Sequence, residues 1–282
     1  MKPPPYPFAP SANATEQALQ AAAFALQSNR PAEAERIAGE VLRRHRTDPR
    51  AAQLYGYALL TQGKAKDAIV PLERAFKQSR DPGVETQLAM ALRQAGQTEQ
   101  AIERFQHAVA RKPAFPPAFL EFGVLLLSLG RRGEAIEVMR RGAAIAPEFA
   151  DLSSQLGNAL LADGDRAGAR EAFARALSLQ PRNTDVMFAL ARIAGHDRDF
   201  AAAADYYGRI LAIETDAAAQ IGLGISLIEQ GRREEGLDHL RVAARSDPKR
   251  YGEALAAIVS AGHGRFWLRP SAASRALRGG DS

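Results

Sequence analysis

Gly96-Gln97-Thr98-Glu99-Gln100-Ala101-Ile102-Glu103-Arg104-Phe105-Gln106-His107-Ala108-Val109 reads as a turn glycine followed by an amphipathic helix. Ala101, Phe105, Ala108 and Val109 recur at three- and four-residue spacing, which puts them on one face, with Glu, Gln and Arg on the other. The stripe is unusual in alternating very small with very large side chains, a pattern suited to two helices that cross closely. Outward from this stretch, the same pattern returns at intervals of about 34 residues, the period of a helical repeat. Seven units follow, beginning at Thr15, Pro49, Pro82, Pro116, Ala150, Thr184 and Ala217.

Several columns carry the register. Position 8 of each unit is Ala22, Gly56, Ala89, Gly123, Gly157, Ala191 and Gly224, and position 20 is Ala34, Ala68, Ala101, Ala135, Ala169, Ala203 and Gly236. Small residues in both columns let two antiparallel helices approach within each unit. Between them, position 15 is Gly63, Gly96, Gly130, Gly164 and Gly231 in five units, where a left-handed residue can end the first helix without strain. Leu72, Phe105, Met139, Phe173, Tyr207 and Leu240 at position 24 supply the bulk that fills the space beside the small columns. Pro113, Pro147, Pro181 and Pro248 close the second helix.

This pattern resembles the tetratricopeptide repeat family, on the 96–109 stretch above and again on Ala169 to Leu177 with Pro181. The resemblance covers residues 15–250. It implies an all-α, right-handed superhelical α-solenoid of seven helical hairpins with a C-terminal capping helix. The expected organisation is a proline-rich lead-in at 1–14, units at 15–48, 49–81, 82–115, 116–149, 150–183, 184–216 and 217–250, a capping helix at 251–263, and a basic tail at 264–282. Departures fall on Ala38 at position 24 of the first unit, on Arg198 and Ile210 in the turn and position 27 of the sixth, and on Pro71. The last predicts a kink in the second helix of its unit.

Composition narrows the function. The chain has 282 residues, no Cys, 12 Phe, 6 Tyr and 1 Trp, so the core rests on close backbone approach, and disulfides, thiolate nucleophiles and Cys-based zinc sites are excluded. The first 240 residues carry equal numbers of basic and acidic side chains, which places the whole formal charge of +5 in residues 241–282. A neutral body lacks the cationic stripe that neutralises phosphates, so no nucleic-acid partner is expected. Apolar runs are too short for a membrane span, and prolines interrupt the N-terminus where a secretory leader needs an apolar core. A cytoplasmic, bacterial protein is expected.

No catalytic, metal or cofactor motif appears. His45, His107, His196, His239 and His263 lie in separate units without a paired glutamate, and His196-Asp197 falls in a turn, where a structural or solvated role is expected. Neither a phosphate-cradling glycine loop nor a nucleophile elbow occurs. The chain reads as non-catalytic.

The resemblance makes the first helix of each unit the wall of a concave groove. Its exposed positions give Gln20, Gln53, Tyr57, Gln87, Met90, Gln94, Glu121, Val124, Gln155, Asn158 and Arg192 as the binding residues. Amides offer a donor and an acceptor together and can pair with the backbone of an extended peptide. The row is similar to the asparagine ladder in the repeat domain of O-linked N-acetylglucosamine transferases, though here it is glutamine and interrupted. The family's terminal-carboxylate clamp for chaperone tails needs Lys at position 5, which is Leu19, Gln53, Thr86, Leu120, Ser154, Phe188 and Ile221 here, so no clamp is expected. Two functions stay open: an interaction scaffold holding a protein or extended peptide, or a targeting subunit for a separate glycosyltransferase, sulfotransferase or oxygenase. In the tail, Phe266, Trp267 and Leu268 among arginines suit self-packing on the last helix, partner docking or a membrane surface. Three apolar residues are too few for stable membrane insertion, and the burial of Trp and Phe favours self-packing.

Overall fold

The computed structural model describes residues 12–260 together with Ser274 and Leu277. Among the described residues every regular element is helical, and consecutive helices pair as antiparallel hairpins of the solenoid type. The chain divides into two compact units, Met1–Ala146 and Pro147–Ser282. The first holds four hairpins: α1 (Ala12–Gln27) with α2 (Pro31–Arg44), α3 (Pro49–Thr61) with α4 (Ala65–Ser79), α5 (Pro82–Gln94) with α6 (Thr98–Ala110), and α7 (Pro116–Ser128) with α8 (Arg132–Ile145). The second holds α9 (Ala150–Asp163) with α10 (Arg166–Leu179), α11 (Thr184–His196) with α12 (Phe200–Leu211), and α13 (Ala217–Glu229) with α14 (Arg233–Ser246). A 3₁₀ turn at Pro248–Arg250 then leads into α15 (Tyr251–Ser260).

Local chemistry sets the helix ends. Proline opens α3, α5 and α7, where its missing N–H would have no intrahelical partner anyway. Before the first two, Asp48 accepts from the Arg50 and Ala51 amides at 2.9 Å each, and Asp81 accepts from Gly83 and Val84 at 2.7 and 3.0 Å. Every first helix ends on a left-handed residue. Gly63, Gly96, Gly130, Gly164 and Gly231 have φ between 74° and 91°, while Asn29 (54°) and Arg198 (62°) take the same conformation where glycine is missing.

Small residues at the crossings leave no room for a methyl group. A Cβ on Gly56 would lie 2.7 Å from Leu72 Cγ, and one on Gly157 2.7 Å from the Phe173 ring. The bulky residue of position 24 therefore sits over the small residue of position 8, across the hairpin. At Gly224 and Gly236 the approach is backbone to backbone, and a Cβ on either would meet the other's carbonyl oxygen at 2.8 or 2.5 Å. Helix α4 runs unbroken through Pro71. The ring removes one N–H, and the Asp67 carbonyl that it would have reached belongs to an exposed residue that water can serve.

The first unit also carries a buried polar centre. Glu85 on α5 is fully buried, with Oε1 2.6 Å from His107 Nδ1 on α6 and Oε2 3.0 Å from Arg111 Nε. Arg111 follows α6, donates to the Arg80 carbonyl, and lies 5.3 Å from the Phe76 ring centre at the end of α4. In the second unit the terminal apolar surface is covered. Leu277, 2% exposed, joins Ile221, Ile228, Leu237, Leu240, Ala243 and Ala254 in one cluster, and the Ser274 hydroxyl lies 2.8 Å from that of Tyr251.

Candidate peptide-binding faces

Each unit presents its own row of first-helix side chains. In the first, Gln20 is exposed and donates to Glu16 at 3.2 Å, one turn back on α1. Glu16 in turn accepts from both terminal nitrogens of Arg50 on α3, at 2.7 and 3.1 Å. Those hydrogen bonds hold the Glu16 carboxyl below the usual carboxylate range. Gln53 Nε2 donates to Gln87 Oε1 at 3.3 Å, so the two half-buried amides bridge neighbouring hairpins. Gln53 keeps its carbonyl and Gln87 its amino group for another partner. Tyr57, Met90 and Val124 are half-buried and Gln94 is exposed. Glu121 is engaged: Arg93 lies 3.3 Å from it, and both are about a quarter exposed. The spacing alone gave no sign of Arg50 and Arg93, whose partners sit on the neighbouring hairpin.

In the second unit Gln155 is half-buried, and Asn158 and Arg192 are exposed. Among the described residues Gln155 and Asn158 make no side-chain hydrogen bond and Arg192 makes no ion pair. Arg192 opens onto a cavity of about 300 Å³ between α11, α12 and α13, lined by Ala191, His196, Phe200, Tyr207, Gly222 and Ile225 among others. Tyr207 forms part of its wall. Its ring meets Phe188 edge-on at 5.4 Å and closes over Gly222, where a Cβ would lie 2.3 Å from Tyr207 Cζ. Burial pushes the pKa of the Tyr207 hydroxyl up, and the Arg192 guanidinium pulls against it.

Sequence reasoning treats Tyr207 as core filler and His196 as a solvated turn residue, and it misses that both reach one cavity. The available signal was Gly222, the last member of the first-helix column that holds Gln20, Gln87 and Gln155, where the missing side chain lets the Tyr207 ring pack against α13. A larger cleft of about 710 Å³ lies along α2, lined by Glu35, Arg36, Gly39, Leu42, Arg43, Arg46, Tyr55 and Ala32. None of those side chains is buried, and Arg36 is taken by Glu40 at 3.2 Å. Phe266, Trp267 and Leu268 lie outside the described residues. Among the described residues no cluster of three or more His, Cys, Asp or Glu could hold a metal, and no helix is long and apolar enough to cross a membrane.

Comparison with known proteins agrees with the repeat. No curated protein matches the sequence significantly. Among solved structures, PilF of Pseudomonas aeruginosa is 22% identical, with a TM-score of 0.60 over 74% of this chain and 96% of its own. The C-terminal part of a repeat protein of Cytophaga hutchinsonii is 18% identical, with a TM-score of 0.58 over 94% of this chain and all of its own length, 100%. A thermophilic repeat protein of Thermus thermophilus is 21% identical, with a TM-score of 0.55 over 64% and 98%. At these identities the likeness concerns the fold. Residues 16–84, 92–156 and 154–216 match the tetratricopeptide repeat family directly. With the small columns at every hairpin crossing and a left-handed residue at every turn, the chain belongs to the tetratricopeptide repeat family.

Proposed function

We propose that the chain is a non-catalytic scaffold that binds a protein through an extended peptide segment laid along its first-helix faces. The observation that supports this most is the state of Gln155, Asn158 and Arg192. They are polar, accessible and unengaged, yet they stand on helices whose opposite faces are fully buried. A backbone held rigid by its buried face loses little ordering entropy when a ligand arrives, which leaves only the side-chain rotamers to be fixed. The free carbonyl of Gln53 and amino group of Gln87 extend the same chemistry in the first unit.

The test is quantitative affinity capture from the native host, comparing the wild type with a Gln155→Ala, Asn158→Ala double variant. Specific partners should fall about tenfold with the variant. Its melting temperature should stay within a few degrees, because neither side chain is buried or hydrogen-bonded and such surface substitutions usually cost under about 0.5 kcal/mol each. Partners retained at wild-type level would move the binding surface away from these helices.

A further inference from the structure

The cavity beside Arg192 has features that a bare groove does not need. Tyr207 is 8% exposed, and among the described residues its hydroxyl makes no hydrogen bond and stays open to solvent. A hydroxyl on a ring that is itself fixed by packing is pre-oriented for a ligand, which need displace only water from it. Tyr207 and Arg192 both line the cavity, and among the described residues Arg192 makes no ion pair. The nearby acids are occupied elsewhere. Asp197 lies against Arg170 and 3.7 Å from Arg166, and Asp199 accepts from the Ala202 amide at 3.1 Å to cap α12. Arg198 is stacked over Phe200 at 5.9 Å, which adds positive charge at the rim.

Size and charge choose the ligand. About 300 Å³ is the lower end of ligand sites and suits a side chain with its own peptide unit better than a cofactor. One uncompensated guanidinium and one neutral hydroxyl match the two oxygens of a monoanionic carboxylate. A phosphate dianion would call for more cations than the single guanidinium of Arg192 supplies. Phe200, Ile225 and Ala191 give an apolar wall for methylene groups.

From this we infer that the cavity formed by Arg192, Tyr207 and Gly222 receives an acidic side chain, glutamate or aspartate, from the extended peptide partner. Gly222 is part of the device: any larger residue there would push Tyr207 out of its place. The inference rests on the scaffold reading above and specifies one anchor of the bound segment.

The test uses the full chain and fluorescein-labelled, end-blocked Ala-Leu-Glu-Leu-Ala, with its glutamine and phosphoserine counterparts, read by fluorescence anisotropy. The glutamate peptide should bind about tenfold more tightly than the glutamine peptide, since charge-assisted hydrogen bonds exceed neutral ones. Arg192→Gln should abolish that preference. Tyr207→Phe, which keeps the ring and its contact with Phe188, should reduce it severalfold. Equal affinity for glutamate and glutamine peptides, or a preference untouched by Arg192→Gln, overturns the inference. Tighter binding of the phosphoserine peptide overturns it in favour of a phosphate site. If all peptides bind alike and the Gln155→Ala, Asn158→Ala variant weakens all of them, the scaffold reading stands and the acidic anchor falls. No binding of any peptide at millimolar concentration also removes the anchor, and native-partner capture then judges the scaffold reading alone.

Discussion

Arg198 shows how far the repeat geometry constrains a single residue. Its φ of 62° is one that glycine adopts freely and that a side chain with a Cβ adopts at a cost of roughly 1–2 kcal/mol. Glycine holds the corresponding place in five hairpins, and arginine follows the same path in the sixth because the helices on either side fix the turn. Arg198→Gly should therefore raise stability by about 0.5–1 kcal/mol, after allowing for glycine's unfolded-state entropy and the lost stacking on Phe200. Urea denaturation measures it. A destabilised variant would mean that the stacking outweighs the backbone strain.

At the scale of elements, Glu85 joins three helices. Its carboxylate faces His107 on α6 and Arg111 just beyond it, and Arg111 reaches back to the carbonyl and ring that end α4. Removing one partner of a buried pair leaves the other uncompensated, so Glu85→Ala should cost about 3 kcal/mol. A loss under about 1 kcal/mol in thermal or chemical denaturation would show that Arg111 finds water instead. Parts of this architecture were legible in the sequence and parts were not, for a physical reason. Gly96, Ala101 and Phe105 act within one hairpin, so their spacing along the chain fixes their place in space. The Glu16–Arg50 pair and the Gln53–Gln87 bridge depend on how neighbouring hairpins meet, and a column of residue types does not contain that angle. The cavity at Tyr207 was harder still, because it arises from what the next hairpin lacks at Gly222.

For the molecule as a whole, stability is a sum over neighbours, and an outermost hairpin has a neighbour on one side only. Besides the buried clusters of Leu19, Val41 and Ala51 and of Ala25, Ala34 and Ala58, two polar clips tie the α1–α2 hairpin to the next. Glu16 accepts from Arg50, and Glu35 accepts from Lys64 and Gln62 at 2.8 Å each. Hydrogen bonds from those partners hold both carboxyls below the usual range. A lowered carboxyl pKa stabilises the fold above the unfolded value, near about 4.3 for glutamate, and the benefit disappears as pH falls through the lower folded value. Acidification below about pH 4 should loosen this hairpin before the others. Hydrogen-exchange protection factors at pH 3 and pH 7, corrected for intrinsic rates, would show it as a selective loss in α1 and α2. Uniform loss across all hairpins would assign acid sensitivity to the body of the protein.

A stack of like parts carries no intrinsic instruction to stop. Within each of the two units a hairpin offers its successor the kind of apolar face that it received from its predecessor, so an open end is an invitation to a second copy. Leu277 withdraws that invitation at one end. It joins the cluster of Ile228, Leu237 and Leu240, with the Ser274 hydroxyl 2.8 Å from that of Tyr251, so the chain's own residues cover apolar surface that another molecule's hairpin could claim.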